Sequence, residues 1–318
     1  IAILGAGHAG RAMAGDLAVR GAPVALWNRT PANIAVLRAR GGVEVEGETS
    51  GFGRLHLVTD DLGAALAEAR LIMVNVPAFA HGPLAERCAP HLRDGQMVLL
   101  NPGRTFGALE FRRALTTAGC PADVVVAEVA TNLMTARSTG PAQSYIARVK
   151  HAVPVAALRP ARTGEILAAL NEWYPQFTAA SSTLETSFSN VGAVIHPAIT
   201  LLNAARIEND QGRFEFYMDG ISPRVAAVLE AVDRERRAVA ALLGVEVQSL
   251  VEWLASAYRA TGSDLFEAVR ANEGYRGITA PSTLEHRYIL EDVPMSLVPI
   301  ASAGRAFGLK SQAIEALI

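Results

Sequence analysis

A single histidine, His196, stands in the middle of an apolar stretch, GAVIHPAITLL, at residues 192–202. An imidazole titrates near neutral pH, so this side chain could take up and release a proton during a reaction. Pro197 follows directly and disfavours a helical conformation at His196, which predicts a helix break there with a new helix starting at residue 197. A histidine in an apolar run is also often a hydrogen-bonded core residue, and the stretch alone leaves both interpretations open.

A second group of polar side chains lies near the end of the chain, in EHRYILEDVPMSLVP at residues 285–299. A carboxylate in this group could orient a catalytic imidazole, and an arginine could bind a substrate carboxylate through two parallel hydrogen bonds. Two structural interpretations compete, because Asp292 could cap a helix before Pro294 and Arg287 could belong to an ordinary ion pair. The charged and titratable members of the group are Glu285, His286, Arg287, Glu291 and Asp292.

Three glycines near the start, Gly5, Gly7 and Gly10, form a G-x-G-x-x-G motif between a predicted strand and a predicted helix. The first glycine allows the tight turn, the second lets the backbone approach a pyrophosphate, and the third lets helix and strand pack closely. The amino end of the helix offers free N–H groups and the positive end of its dipole to the phosphates. The motif predicts a dinucleotide site that also includes His8 and Ala9; a tight turn without a ligand is the alternative.

The residues after the second predicted strand indicate which dinucleotide binds. NAD-binding forms of this motif usually carry an acidic residue there, which accepts a hydrogen bond from the ribose 2′-hydroxyl. This chain has Asn28, Arg29 and Thr30. A guanidinium and two neutral polar side chains suit a 2′-phosphate, which a carboxylate would repel, so we predict NADP with NAD as the alternative. Arg29 as a plain surface residue is the competing interpretation.

Further loops follow predicted strands in the same half of the chain: NVPAFAH, NPGRT and AEVAT. The carboxyl ends of parallel strands form the usual ligand crevice of such folds. Five residues of the first two loops are therefore predicted to contribute to the cofactor site, namely Asn75, Val76, Pro77, Asn101 and Gly103.

The elements that must position these groups fall into two parts. Short β-like runs alternate with helical ones over residues 1–182, which predicts a doubly wound parallel sheet of the Rossmann type. Over residues 183–318 the β-type alternation disappears, and a strong helix runs from Ser222 and Pro223 to Gly244. The charged stretch DRERR within that helix is most simply a solvated face. We predict an α/β dinucleotide-binding domain followed by an all-helical substrate domain.

The bulk composition excludes several classes of function. The 318 residues carry a formal net charge of −2, so no global basic field favours nucleic acid or an anionic membrane. The apolar runs are shorter than the roughly 20 residues that span a bilayer. Two cysteines without metal-ligand spacing or a disulfide framework predict no metal site and a cytoplasmic location. The chain opens without a methionine and stops within an apparent helix, so we expect residues missing from both ends.

Three stretches together resemble the octopine/nopaline (opine) dehydrogenase family: LNPGRTFGALEF, SNVGAVIHPAITLLNAARIE and APSTLEHRYILEDVPMSLVPI. The likeness runs from the glycine turn almost to the last residue. It implies a Rossmann domain joined to a helical domain of the 6-phosphogluconate-dehydrogenase C-terminal type. It also implies an NAD(P)H-dependent reductive condensation of an amino acid with a 2-oxo acid, which would be the small-molecule partners. The assembly state stays open, with a homodimer as one possibility.

Four residues receive roles from this resemblance. His196 matches the catalytic histidine, Asp292 its carboxylate partner, and Arg287 the residue that binds the oxo-acid carboxylate. EVATNLMTAR resembles the family segment ETxTLPYACR, in which Thr131 falls on the second threonine and is a candidate for the oxo-acid site. Five residues depart from that segment, so the resemblance does not name the two substrates: Val129, Leu133, Met134, Thr135 and Ala136.

Two other functions stay open. Ketopantoate reductases and β-hydroxyacid dehydrogenases share this architecture but depend on a catalytic lysine, and the only lysines here are Lys150 and Lys310, neither on the helix that enters the second domain. A 2-oxo-acid reductase that needs no amine is nevertheless the first alternative. The second is a dinucleotide-sensing module without chemistry, which predicts that His196 lies beyond hydrogen-bond reach of Asp292.

Overall fold

The computed structural model describes all 318 residues, Ile1 to Ile318, and divides them into two compact units. The first unit is Ile1–Ser187 and the second is Phe188–Ile318. The division falls shortly after the predicted junction between residues 182 and 183. No helix in either unit has both the length and the apolar character needed to cross a lipid bilayer.

Twelve strands form two sheets, both within the first unit. They are β1 (Ala2–Leu4), β2 (Ala25–Trp27), β3 (Gly42–Gly47), β4 (Gly51–Arg54), β5 (Leu57–Thr59), β6 (Leu71–Val74), β7 (Met97–Leu100), β8 (Val125–Val129), β9 (Met134–Gly140), β10 (Gln143–Val149), β11 (Val153–Ala157) and β12 (Phe177–Ala179).

The main sheet has eight strands in the order β12-β11-β8-β7-β6-β1-β2-β5. Every neighbouring pair from β8 to β5 is parallel, and β11 joins β8 in the antiparallel direction. The central strands are buried along their whole length, as expected when helices cover both faces of a parallel sheet. The predicted doubly wound α/β fold is confirmed. The direction of winding reverses beside β1, where such sheets bind their ligands.

The second sheet has four strands in the order β4-β3-β10-β9 and packs against the first helix. The stretch EVEGETSGFGRLHLVTD predicts a hairpin-like or strand-rich excursion, to which the hairpin of β3 and β4 corresponds, whereas β9 was not predicted. Glycine permits the close packing, because a Cβ at Gly15 would lie 2.6 Å from a methyl group of Val45, and a Cβ at Gly53 would lie 2.2 Å from the carbonyl oxygen of Gly15.

Fifteen α-helices complete the fold. They are α1 (His8–Val19), α2 (Ala35–Arg40), α3 (Leu62–Leu66), α4 (His81–Cys88), α5 (Gly107–Thr117), α6 (Thr163–Asn171), α7 (Thr183–Phe188), α8 (Gly192–Leu202), α9 (Ala204–Asp210), α10 (Pro223–Leu242), α11 (Leu250–Tyr258), α12 (Leu265–Arg270), α13 (Arg287–Leu290), α14 (Val298–Ala306) and α15 (Gln312–Glu315). The second unit contains no strand, in agreement with the predicted helical domain. Ser222 caps α10 by accepting a hydrogen bond from the N–H of Val225.

The prediction of a helix break at His196 is wrong. α8 runs without interruption from Gly192 to Leu202, with Pro197 inside it. Pro197 lies in the second turn of α8 and removes one backbone N–H donor, a cost of about 3 kcal/mol or more in a helix interior. The apolar residues on both sides of it, such as Ile195 and Ala198, are buried, and this packing outweighs the local preference.

The prediction that DRERR is a solvated face is wrong for two of its members. Asp233 and Arg236 are buried in the second unit and form an ion pair of 2.7 Å. Arg236 also donates to the carbonyl oxygens of Phe188 and Gln248, and Asp233 accepts from the N–H of Leu250. Buried charges occur when they are paired and hydrogen-bonded in this way.

Candidate active site

His196 and Asp292 meet within the second unit, although 96 residues separate them in the chain. Oδ2 of Asp292 lies 2.7 Å from Nδ1 of His196. The carboxylate is fully buried, and one-fifth (20%) of the His196 side chain is exposed. Because a carboxylate accepts this hydrogen bond, Nδ1 carries the hydrogen and Nε2 keeps its lone pair in the neutral ring. The contact therefore orients the imidazole and stabilises its charged form.

Asp292 does not cap a helix. It precedes a π-helical segment, Val293–Leu297, and its side chain makes no capping hydrogen bond there. The wider π turn is rare and occurs frequently at functional sites. The capping interpretation of Asp292 is wrong, since the carboxylate contacts His196 instead.

Aromatic side chains enclose the imidazole. The ring of Tyr288 stacks on His196 with a centroid distance of 4.1 Å and an interplanar angle of 20°. The hydroxyl oxygen of Tyr217 lies 3.2 Å from Nε2 of His196, and the Tyr217 ring stacks on Tyr275 at 3.9 Å. Tyr288 belongs to the RYILEDVP stretch, in which only the charged side chains were predicted to contribute to a site. Tyr217 lies in an irregular segment and Tyr275 ends a short 3₁₀ helix, Glu273–Tyr275, and neither has a sequence signal.

Arg287 is paired with a carboxylate in the same stretch. Its guanidinium lies 3.1 Å from a carboxylate oxygen of buried Glu291, and the Arg287 side chain is 55% exposed. A guanidinium has five N–H donors, so this pair leaves others for a substrate. His286 accepts a hydrogen bond from the N–H of Tyr288 and caps α13. Burial is the main cause that lowers the pKa of His286, followed by the charge of Arg287.

In the first unit, Thr131 follows the end of β8 and contacts a lysine. Nζ of Lys150 donates to Oγ1 of Thr131 at 2.6 Å and to the carbonyl oxygen of Asn132 at 2.8 Å. Burial lowers the pKa of Lys150 to about 8. The sequence distinguishes Lys150 only as a lysine outside the helix that enters the second domain, and it contains no sign of the contact with Thr131.

Glu128, near the end of β8, is a fully buried carboxylate. It accepts hydrogen bonds from the N–H of Ala108 at 2.7 Å and from the hydroxyls of Thr186 at 2.8 Å and Ser187 at 2.7 Å. Burial nevertheless raises its pKa to about 7. A Cβ at Gly103 would lie 2.5 Å from that of Glu128, so the packing of Glu128 is what requires glycine at residue 103.

The glycine turn lines a cavity of about 470 Å³ in the first unit. A Cβ at Gly10 would lie 1.8 Å from the carbonyl oxygen of Gly5, so strand and helix pack as closely as the motif requires. A Cβ at Gly7 would meet nothing within 4 Å, so the space above this backbone is open. Six of the residues predicted to bind the cofactor line the cavity: Gly5, Gly7, Asn28, Asn75, Val76 and Pro77.

The other residues predicted to bind the cofactor do not line this cavity. Arg29 is exposed, His8 accepts a hydrogen bond from the N–H of Ser138, and Asn101 donates to the side chain of Asn75 at 3.0 Å. The full set outside the lining is His8, Ala9, Gly10, Arg29, Thr30, Asn101 and Gly103.

Arg11 is the charged residue of the cavity, and it was not predicted to line it. Its guanidinium donates to the carbonyl oxygens of Gly140 at 2.7 Å and Ala6 at 3.3 Å, and burial lowers its pKa. No carboxylate lines the cavity, so Arg11 offers its positive charge to an anionic ligand. The lining residues that were not predicted are Ala6, Arg11, Ala32, Asn33, Val36 and Pro141.

Comparison with known families divides the chain at a similar place. Residues 179–318 match the family described as NAD/NADP octopine/nopaline dehydrogenase, alpha-helical domain. Residues 1–101 match the family described as NAD-dependent glycerol-3-phosphate dehydrogenase N-terminus. The first match contains His196 and Asp292, and the second contains the glycine turn.

Individual relatives extend this likeness over the whole chain. The opine dehydrogenase of Arthrobacter sp. (strain 1C) is 39% identical over 318 residues, which cover 100% of this chain and 88% of the relative. Among solved structures, octopine dehydrogenase with NADH and L-arginine has a TM-score of 0.84 at 21% identity, covering 100% of this chain and 87% of the other. Yersinopine dehydrogenase with NADP⁺ bound has a TM-score of 0.78 at 18% identity, covering 99% and 88%.

At these low identities the two structures support the fold, whereas the Arthrobacter relative carries the family assignment. The resemblance found in the sequence is thereby confirmed. The chain belongs to the octopine/nopaline (opine) dehydrogenase family of NAD(P)-dependent oxidoreductases.

Proposed function

We propose that this protein is an NADP(H)-preferring opine dehydrogenase that joins an amino acid to a 2-oxo acid. The amine adds to the carbonyl carbon, water leaves, and the resulting imine is reduced to a secondary amine. The dinucleotide supplies the hydride for that reduction. The observation that carries the proposal is the 2.7 Å contact between His196 and Asp292 in a chain that belongs to this family.

His196 is proposed to carry the proton, because condensation and its reversal both require proton transfer to or from the substrate oxygen. Asp292 holds the hydrogen on Nδ1, which leaves Nε2 as the nitrogen that exchanges protons. Acid/base catalysis by a positioned side chain typically contributes about a hundredfold to ten-thousandfold in rate. The dinucleotide-sensing alternative requires these two residues to lie apart, and that requirement is not met.

Arg287 is proposed to bind the carboxylate of the oxo acid. Its guanidinium is more than half exposed and paired with one carboxylate, so further N–H donors at its edges are available to a substrate. The pair with Glu291 also restricts the rotation of the guanidinium. Arg287 can thus bind a carboxylate through two parallel hydrogen bonds, and its guanidinium is already oriented before the substrate binds.

Thr131 is proposed to contact the oxo acid as a hydrogen-bond donor. Because its oxygen accepts from Lys150, its own hydrogen remains available for another acceptor. The nearby ammonium favours a negatively charged acceptor, such as a carboxylate. This polarity is the reason to assign Thr131 to an anionic substrate.

The preference for NADP is proposed from the acid-free cavity of the first unit. Asn28 stands where NAD-binding forms usually carry a carboxylate, and it accepts a hydrogen bond from the N–H of Ala6. Arg29 and Thr30 are exposed beside it and suit a 2′-phosphate. The guanidinium of Arg11 suits the negatively charged diphosphate of the dinucleotide.

All substrates of this reaction are small and water-soluble. A cytoplasmic location and a homodimeric assembly stay predictions.

The proposal is tested by a screen of NADPH oxidation in which amino acids are crossed with pyruvate and related oxo acids. We expect oxidation only when both substrates are present, with a secondary amine identified by mass spectrometry. Oxidation that proceeds equally fast without any amino acid would show the 2-oxo-acid reductase instead. His196→Ala is the control that separates catalysis from contaminating reductases.

A further inference from the structure

The hydroxyl of Tyr217 contacts Nε2 of His196, the ring nitrogen that is available for proton exchange. The Asp292 carboxylate holds the hydrogen of the neutral ring on Nδ1. Nε2 then has a single in-plane lone pair, and Tyr217 lies 3.2 Å from it. The phenol is therefore the donor and the imidazole the acceptor in this hydrogen bond.

The packing of Tyr217 keeps its hydroxyl in this position. The ring stacks face to face on Tyr275 with an interplanar angle of 12°, and the Phe216 ring lies nearly perpendicular to it at a centroid distance of 5.0 Å. Only 7% of Tyr217 is exposed. The His196 ring is likewise held by its stack on Tyr288. Neither ring can rotate away from the other without disrupting these contacts.

We propose that Tyr217 is a further catalytic residue, whose hydroxyl contacts the substrate and relays protons between the substrate and His196. This inference rests on the proposed function, because it takes His196 as the group that stores the proton. While the Tyr217 hydroxyl donates its hydrogen bond to Nε2 of His196, a substrate atom has no direct access to the lone pair of that nitrogen. A proton must then pass through the phenol oxygen.

Protons, bonds and charge are conserved when the relay runs in either direction. During condensation, Tyr217 gives its O–H proton to the hydroxyl of the carbinolamine, whose C–O bond breaks while the nitrogen lone pair forms the C=N bond. Water leaves, and the Nε2 proton of the imidazolium moves to the phenol oxygen. The imidazole is neutral at the end, and the positive charge lies on the iminium nitrogen. In reverse, attacking water gives a proton to the phenol oxygen as the phenol proton moves to Nε2.

The surroundings suit a phenol that donates a proton and regains it without resting as an anion. Burial raises the pKa of Tyr217 well above its ordinary range, with contributions from Tyr275, Tyr288, Tyr258 and Asp292. A free phenolate is therefore strongly disfavoured, so the transfers to and from the oxygen must be concerted. The charge of the relay is stored on His196, where the buried carboxylate stabilises it.

Tyr217→Phe removes the hydroxyl and keeps the ring that stacks on Tyr275. We expect kcat to fall by about a hundredfold with both KM values within about threefold of the wild type. The thermal midpoint and NADPH affinity should stay unchanged. Tyr258→Phe is the matched control, because it removes an exposed phenol at the outer side of the same aromatic cluster. Its kcat should stay within about twofold of the wild type.

A double-mutant cycle with His196→Gln separates a relay from a structural role. If both residues serve one path, adding Tyr217→Phe to His196→Gln should cost little more than His196→Gln alone. Independent losses that multiply would overturn the relay. So would a normal or raised kcat in Tyr217→Phe, which would mean that the substrate reaches Nε2 directly.

The experiments distinguish a failure of the Tyr217 relay from a failure of the proposed opine dehydrogenase function. Amine-independent reduction of the oxo acid by the wild type would refute the opine dehydrogenase function. The comparison of Tyr217→Phe with the wild type still applies in that reaction, because reduction of a carbonyl also delivers a proton to its oxygen.

Discussion

The carboxylate of Asp292 determines which nitrogen of His196 exchanges protons. Oδ2 of Asp292 lies 2.7 Å from Nδ1, and this oxygen belongs to a fully buried side chain. The contact joins α8 to the turn before a π-helical segment that lies 96 residues further along the chain. A buried carboxylate in this position both selects the tautomer and stabilises the imidazolium.

Replacing the carboxylate by an amide separates its charge from its shape. In Asp292→Asn, the amide either donates to Nδ1 and reverses the tautomer or accepts without a charge to stabilise the imidazolium. We expect kcat to fall by about a hundredfold or more, with helix content preserved, because Asp292 makes no capping hydrogen bond. Steady-state kinetics and circular dichroism measure the two effects. A normal rate would leave Asp292 with a structural role only.

Arg29→Asp should change the choice of dinucleotide. A carboxylate beside Asn28 would repel a 2′-phosphate and accept a hydrogen bond from a 2′-hydroxyl. We expect NADPH affinity to fall by about tenfold or more while NADH affinity falls less or improves. Fluorescence titration of both dinucleotides measures the ratio.

Arg70→Asp is the control for this charge change. Arg70 is exposed and lies just before β6, at the amino end of the strand and thus at the sheet edge opposite the glycine turn. It should leave the ratio of the two affinities unchanged. If Arg29→Asp also leaves it unchanged, Arg29 plays no part in the preference.

Much of the fold could be predicted because its signals are local. The glycine turn, the alternation of strands and helices, and the cap at Ser222 depend on residues that are neighbours in sequence. The roles of His196 and Asp292 came from the family resemblance, since no periodicity links residues so far apart. Their contact confirms that they are partners in space, while their catalytic roles stay predictions.

The features that were missed depend on long-range packing. Tyr217 is positioned by a segment without regular structure, in which the N–H of Phe216 donates to the carbonyl oxygen of Ile278. Lys150 follows β10, whose stretch SYIARVK predicts a strand but not that the strand belongs to the second sheet. The burial of Arg236 depends on carbonyl oxygens from other segments. In each case the partner is distant in sequence, so composition and spacing contain no sign of it.

Glu128→Gln should change how stability depends on pH. The pKa of Glu128 is raised to about 7 from an ordinary value of 4.5 by burial. Because the folded state binds this proton more tightly than the unfolded state, the contribution to stability is fully present below about pH 4.5 and is lost as pH rises through about 7. Glutamine stays neutral throughout, so the variant should gain stability relative to the wild type as pH rises, by up to about 3 kcal/mol.

Thermal or urea unfolding of both proteins at pH values from about 4.5 to just above 7 measures this difference. Glu165→Gln is the control, because Glu165 is exposed and its hydrogen bond with Arg162 lowers its pKa. That variant should show no change in relative stability near neutral pH. A constant difference between Glu128→Gln and the wild type across this range would mean that Glu128 keeps an ordinary pKa.

Lys150→Met should weaken the binding of the oxo acid. The ammonium donates to Oγ1 of Thr131 at 2.6 Å, and its loss removes both a positive charge and the contact that orients the hydroxyl. We expect KM for the oxo acid to rise by about tenfold, with a smaller change in kcat, measured at saturating NADPH and amino acid. Lys310→Met is the matched control, because Lys310 is the other lysine of the chain and is exposed in the second unit.

The pH dependence of the same KM distinguishes charge from packing. Burial lowers the pKa of Lys150 to about 8, so the ammonium is present below that pH and deprotonates above it. The wild-type KM for the oxo acid should therefore rise above about pH 8, whereas Lys150→Arg, which keeps its charge, should stay level over the same range. Lys150→Met should lack the rise as well, at a uniformly higher KM. If KM for the oxo acid depends on pH in the same way in the wild type and in Lys150→Met, the charge of Lys150 does not act on the oxo acid. Thr131 then binds the oxo acid without the ammonium, or does not bind it.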